Sequence, residues 1–139
     1  MASTFKSTKV ATTIPAKSGI GVTCITATYA LTTNLIINDV IQVCTIPAGA
    51  TILDATVATP DVDSATSLVW DLGDGDTTGR FISSSTVGQA AGVARLSVVG
   101  GLGYKYTAED TIDYKVTTAP GTGVTSGTIR FMVLYTLDE

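Results

Sequence analysis

The chain has 139 residues, 45% of them hydrophobic and only 14% charged, with a formal net charge of −4 and no histidine. That length predicts one domain able to bury a core without staples. The lack of histidine leaves zinc binding and thiol-imidazole catalysis nothing to be built from. No run of about 18 apolar residues occurs, so no membrane span is expected. Met1-Ala2-Ser3-Thr4 leads into no apolar signal segment, and the sequence predicts synthesis and retention in a cytoplasm.

Threonine, valine, isoleucine and glycine dominate and helical periodicity is almost absent, which predicts an all-β chain. Residues 1–21 are polar and threonine-rich, with Lys6, Lys9 and Lys17, and do not alternate cleanly; they read as an extended N-terminal arm, disordered or fixed only by a partner. Residues 22–139 read as the β-sandwich domain. Val22 to Ala30 alternates and is the first clear strand. Asn38 to Thr59 holds two strands separated by Pro47-Ala48-Gly49-Ala50, where proline presets φ and glycine supplies a positive one. Strict alternation there puts Ile41, Val43 and Thr45 on one face and Val40, Gln42, Cys44 and Ile46 on the other, then Leu53, Ala55 and Val57 opposite Ile52, Asp54, Thr56 and Ala58.

Leu68, Trp70 and Leu72 share one face of the next strand, and Trp70 reads as core. Asp71 to Gly79 is turn-rich, Arg80 to Ser83 extended, and Gly92 to Val99 a strand. Gly100 to Gly103 bends the chain before Tyr104-Lys105-Tyr106. Thr111 to Thr118 sets Ile112, Tyr114 and Val116 against Asp113, Lys115 and Thr117. The last strand carries Ile129, Phe131, Val133, Tyr135 and Leu137 on one face and Arg130, Met132, Leu134 and Thr136 on the other. It is expected to be central and buried on both sides. Eight or nine short strands with Gly/Pro turns predict a single-domain β-sandwich or jelly-roll-like barrel.

Asp71, Asp74 and Asp76 form the one stretch open to reading as a weak metal site, since calcium favours oxygen-rich loops with glycine bends. Counted as an EF-hand loop from Asp74, its twelfth position is Ser85 where a bidentate glutamate is needed, so a β-turn is the simpler reading; a shared site with Asp61 or Asp63 stays open. Cys24 and Cys44 fall on separate strands, either as two small buried hydrophobes or as a disulfide between neighbouring strands formed after release into an oxidising medium. No nucleophile-base arrangement, phosphate loop or dinucleotide fingerprint is present, so no enzyme and no cofactor is expected.

Three blocks resemble the decoration or cement proteins of tailed-phage capsids. The first is Asn38-Asp39-Val40-Ile41 with Ile46-Pro47-Ala48-Gly49-Ala50 and Thr51-Ile52-Leu53-Asp54-Ala55. The second runs from Leu68 to Asp76 and is followed by Gly79-Arg80-Phe81-Ile82, and the third is Thr128 to Tyr135. Together the likeness spans roughly two thirds of the chain by turns and strands. It implies a virion structural protein that binds the outer surface of the shell, a major capsid protein as partner, and a homo-oligomer, a trimer above all. A head-fibre base or minor tail protein is the alternative within the particle, and a glycan- or calcium-binding β-sandwich the alternative of another class.

Residues 1–38 carry three lysines and no acid, whereas residues 39–139 carry five basic and twelve acidic residues. A basic lead on an acidic body suits contact with an acidic patch of a capsid subunit, which makes Lys6, Lys9 and Lys17 the capsid-contact candidates. Three lysines without arginines or interleaved aromatics make a poor phosphate track, so nucleic acid is not expected as a partner.

Overall fold

The computed structural model describes residues 2–9 and 21–137. Among these there are nine strands and no helix: β1 (Thr4–Lys9), β2 (Val22–Ala30), β3 (Val40–Ile46), β4 (Ala50–Thr59), β5 (Val69–Gly73), β6 (Ile82–Ser85), β7 (Gly92–Arg95), β8 (Asp110–Thr118) and β9 (Thr128–Leu137). They form two sheets, one of five strands in the order β1-β3-β8-β5-β6 and one of four in the order β2-β9-β4-β7. Every pairing is antiparallel except β1 with β3.

Inward-facing apolar residues of the two sheets make one core. Ile41, Ile46, Ile52, Ile112 and Ile129 are fully shielded from water, each contributing about 2 kcal/mol of burial. Aromatic rings bridge the layers. Trp70 of β5 stacks on Tyr114 of β8 at 4.6 Å, and Tyr114 meets Phe131 of β9 edge-on at 6.0 Å. The Trp70 indole N–H donates to the Val87 carbonyl, so its one polar atom is satisfied.

The turn at Pro47-Ala48-Gly49 lies where the sequence puts it, with Gly49 at φ 88°. However, the strands on either side do not pair with each other: β3 belongs to the five-stranded sheet and β4 to the four-stranded one. The turn is therefore a crossing between layers. The Gly49 N–H donates to the Tyr106 carbonyl, and the Tyr106 and Ile52 N–H groups join Ala50 and Tyr104, so the extended 104–106 segment braces the crossing.

Strict alternation fails in both strands. The β3–β8 register shifts between Gln42 and Cys44, and the β4–β9 register between Ile52 and Asp54. The extra residue in each resets the phase. Val43 and Cys44 are thus both buried, as are Ile52 and Ala55, while Leu53 is only half-buried.

Residues 4–9, expected within an extended arm that is disordered or fixed only by a partner, instead form β1, paired with β3 of the same chain. Thr4, Phe5 and Lys6 lie beside Val40, Ile41 and Gln42. Three contacts compensate for the polar sequence. The Ser3 N–H donates to the Asp39 carboxylate at 2.7 Å, the Ser7 hydroxyl donates to the Val43 carbonyl, and the Phe5 ring lies 5.4 Å from that of Tyr29. Strand β9 is central, paired with β2 and β4 as expected. Only one of its faces is covered: Arg130 is exposed and Met132, Leu134 and Thr136 are half-buried.

Cys24 and Cys44 are both free. They lie on β2 and β3, in different sheets, so a disulfide between neighbouring strands has no neighbouring strands to join. Nor are both buried: Cys24 is exposed, while burial, with a smaller contribution from Asp113, pushes the Cys44 thiol up to about 12. A thiol reagent at mildly alkaline pH is expected to modify one cysteine per native chain and two after unfolding; two fast-reacting native thiols would contradict this placement.

Candidate functional site

The acidic turn after β5 is built around Asp74, which is buried. Its carboxylate accepts from Arg80 Nε at 2.5 Å and Nη2 at 3.3 Å, from the Tyr106 hydroxyl at 2.7 Å, and from the backbone N–H groups of Asp76 and Thr77 at 3.1 and 2.8 Å. The Arg80 guanidinium also lies 3.8 Å from the centroid of the Tyr104 ring, which meets Tyr106 edge-on at 4.9 Å. Burial raises the Asp74 pKa, but Arg80, Thr77 and Tyr106 together outweigh it and hold the carboxyl below its usual range. For Tyr106, burial and then the Asp74 charge push the phenol upward. The arrangement is a neutralised, fully hydrogen-bonded tie between the 74–80 turn and the 104–106 segment.

Asp71, Asp74 and Asp76 are not brought together as a trio. Asp71 accepts from the Ser84 N–H at 2.7 Å and the Thr78 hydroxyl at 3.2 Å. The carboxylates that converge, within 4.8 Å of one another, are those of Asp74, Asp76 and Asp110. Asp110 was not singled out by sequence because it lies at the start of β8, far along the chain. A cation here would compete with Arg80 for Asp74, so the set is poorly suited to calcium.

Asp63 is equally engaged. It accepts from the N–H groups of Ala65, Ser67, Leu68 and Thr122 between 2.8 and 3.0 Å, tying the 63–68 loop to the 119–123 turn. Burial raises its pKa, yet the Thr122, Ser67, Leu68 and Gly121 backbone donors hold it well below the usual carboxylate range. Asp61, its suggested partner in a shared site, accepts only from the Asp63 N–H at 3.1 Å among the described contacts.

Sheet surface is also open to partners. The outer face of the four-stranded sheet carries Val22, Cys24, Thr26 and Thr28 of β2, Arg130, Met132 and Leu134 of β9, and Thr56 and Ala58 of β4. A shallow groove of about 510 Å³ runs between Thr26, Thr28, Thr56, Ala58, Arg130 and Met132. This face is uncharged apart from Arg130 and the loose Arg95–Asp54 pair at 3.7 Å. Of the lysine candidates, Lys6 is exposed on β1; Lys9 closes that strand; Lys17 lies outside the described residues. No aromatic residue is among the exposed large hydrophobics, which are Val22, Ile36, Ile37, Val93, Val99 and Leu102, so the described surface offers no stacking platform for a glycan.

Neither a family model nor a curated protein sequence matches the chain. Solved structures do. A chain from the capsid asymmetric unit of cyanophage Pam1 is 28% identical, with a TM-score of 0.76 over 94% of this chain and 98% of that one. A chain from the capsid of Ralstonia phage GP4 superposes with a TM-score of 0.85 at 22% identity, over 98% and 99% of the two chains. The chain has the fold of phage capsid-associated proteins. A chain from the acid-stable capsid of Helicobacter pylori bacteriophage KHP30 shares that fold more distantly, with a TM-score of 0.64 at 15% identity. Near-complete coverage on both sides makes the capsid-associated fold a property of the whole two-sheet unit.

Two substitutions test the local physics of this fold. Gly73 ends β5 where a Cβ would lie 2.2 Å from the Thr77 carbonyl oxygen and 2.4 Å from that of Thr78, both backbone atoms that cannot swing away. Gly73→Ala is expected to destabilise by about 2–3 kcal/mol, read as a lowered thermal midpoint; an unchanged midpoint would show that the 74–78 turn is free to move.

Asp113, half-buried on β8, has its pKa raised to about 6 chiefly by burial, which outweighs the lowering by the Thr111 hydroxyl, with lesser upward pushes from the charges of Asp110 and Asp74. Ionised at neutral pH, it burdens the native state. Asp113→Asn is expected to add about 1 kcal/mol at pH 7, allowing for screening at this half-exposed position. The gain should shrink as pH falls through about 6 and vanish near the unfolded value of 3.8. Melting curves that show an equal effect at pH 7 and pH 3.5, or a loss at pH 7, would refute it.

Proposed function

We propose that this chain is a virion structural protein that binds the outer surface of a phage capsid shell and reinforces it, with the major capsid protein as its partner. The observation that carries the reading is the likeness to the Pam1 capsid chain along almost the full length of both chains. The site chemistry supports it. Asp63 and Asp74, the most buried carboxylates of the loops, are engaged by backbone donors, Arg80 and Tyr106, and make structural ties. The surface left over includes a sheet face rich in threonine and aliphatic side chains, suited to docking on another protein.

The basic lead fits the same reading. Lys6 is exposed on the edge strand β1. With Lys9 and Lys17 it would steer the acidic body toward an acidic patch of the shell. The protein would be made in the cytoplasm of the bacterial host and end on the exterior of the virion.

The test mixes the purified protein with shells that lack it, followed by sedimentation. The protein is expected to pellet with the shells and to raise their resistance to heat. Recovery in the supernatant at every ratio would reject the reading. Removing the lead would also delete β1, so its role is better tested by Lys6→Glu, Lys9→Glu and Lys17→Glu combined. Weaker shell binding with a flatter salt dependence is expected. Unchanged affinity and salt dependence would leave the sheet surface as the contact and reject the lysines.

A further inference from the structure

The turn after β5 folds back over Gly73, which is the β5 neighbour of Asp113 on β8. A small cavity of about 190 Å³ lies at this joint, lined by Val40, Asp74, Gly75, Thr78, Asp113 and Lys115. The turn presents Asp74 to the cavity, and the carboxylates of Asp76 and Asp110 converge on that of Asp74 to within 4.8 Å. Four carboxylates from two segments thus crowd one place.

Little around Asp113 neutralises it. On β8 the Thr111 hydroxyl donates to it at 2.8 Å, and Lys115 lines the same cavity without forming an ion pair among the described residues. Its β3 neighbour is the uncharged Gln42; Cys44 beyond is kept a neutral thiol by burial, and Lys6 of β1 lies on the far side of Gln42. From β5 and the turn come Asp71, which is bonded to Ser84 and Thr78, and Asp74 with Asp76. Arg80 and the Tyr106 phenol are committed to Asp74. Arg80 already fills the place a metal ion would take, so the response left to the joint is proton uptake. Burial and like charge both favour the neutral form of a carboxyl. The chain has no histidine, the side chain that ordinarily titrates between neutral and mildly acidic pH.

We propose that the joint between the 74–80 turn and the start of β8 is a proton-tightened clasp, through which the whole sandwich gains stability as its surroundings pass from neutral to mildly acidic pH. Ionised, Asp113 pushes against Asp74 and Asp110 across the joint. Proton uptake removes that repulsion and gives Asp113 an O–H donor. Its raised pKa of about 6, against 3.8 unfolded, sets the window: the native state takes up the proton first, so stability rises as pH falls from 7 toward the unfolded value. Asp63 and Asp74, held low in the native state, give up their own contribution only as pH falls below 3.8. The clasp acts beyond its own turn. Asp74 is bonded to Tyr106, and the 104–106 segment braces the crossing of β3 into β4.

This inference concerns the folded chain alone and does not rest on the capsid reading, so it is tested without shells. Thermal midpoints of the full chain are measured at pH 7, 6 and 5 at fixed ionic strength, beside a carbon-13 NMR titration of the Asp113 carboxyl. The midpoint is expected to rise by about 2–4 °C from pH 7 to pH 5, with Asp113 titrating at about 6. Asp110→Asn is expected to move that titration to lower pH, and Asp113→Asn to melt at one temperature across the window. A wild-type midpoint that stays flat or falls toward pH 5, an Asp113 titration in the ordinary carboxylate range or unmoved by Asp110→Asn, or a rise that persists in Asp113→Asn would overturn the proposal. Should either variant fail to fold, the wild-type melts and titration decide it.

Discussion

Trp70 stacks on Tyr114, and Tyr114 meets Phe131 edge-on; through these three rings the five-stranded sheet is held against the four-stranded one. The contact spans β5, β8 and β9, and β8 and β9 are each flanked on both sides by other strands. Large rings at the centre set the spacing of the layers, and the surrounding isoleucines fill it. The price of an interior this apolar is that polar backbone at the loops must be satisfied locally. Asp39, Asp63 and Asp74 do so, each receiving N–H donors from its own loop. Asp39 and Asp63 also receive one from a distant segment, and Asp74 the Tyr106 hydroxyl.

Two layers cover one face of each sheet and no more. The high apolar fraction of the sequence follows from this only in part, because some of it lies on the outer face of the four-stranded sheet at Val22, Met132 and Leu134. Such a face is costly for a chain that stays alone and useful to one that is covered by neighbours. Fold and surface thus point the same way as the capsid-associated likeness: carboxylates engaged in structural ties inside, and contact area outside.

Much of the architecture was legible in the sequence. Alternation located β2, β8 and β9, placed Trp70 and Tyr135 in the core, and marked β9 as central; proline and glycine located the 47–49 turn. Three features were hidden, for physical reasons. Bulges at Val43 and Leu53 reset the phase of β3 and β4, and a period-2 pattern cannot announce an inserted residue. The crossing of β3 and β4 into different sheets depends on the 104–106 segment, which is remote in sequence. β1 was missed because Thr4–Lys9 is polar and is held by Asp39, Val43 and Tyr29, none of them local. The acidic turn was read correctly as a turn. That Asp74 would be tied to Arg80 and Tyr106 was beyond the sequence, since one partner lies 6 residues away and the other 32.

The most direct test is an electron cryomicroscopy reconstruction of the phage particle that carries this protein, at a resolution that traces strands. The two-sheet sandwich is expected on the outer surface of the shell, seated on the major capsid protein with the β1 side and Lys6 toward it. A particle in which the sandwich is found in the tail, inside the shell, or nowhere on the virion would contradict the central claim.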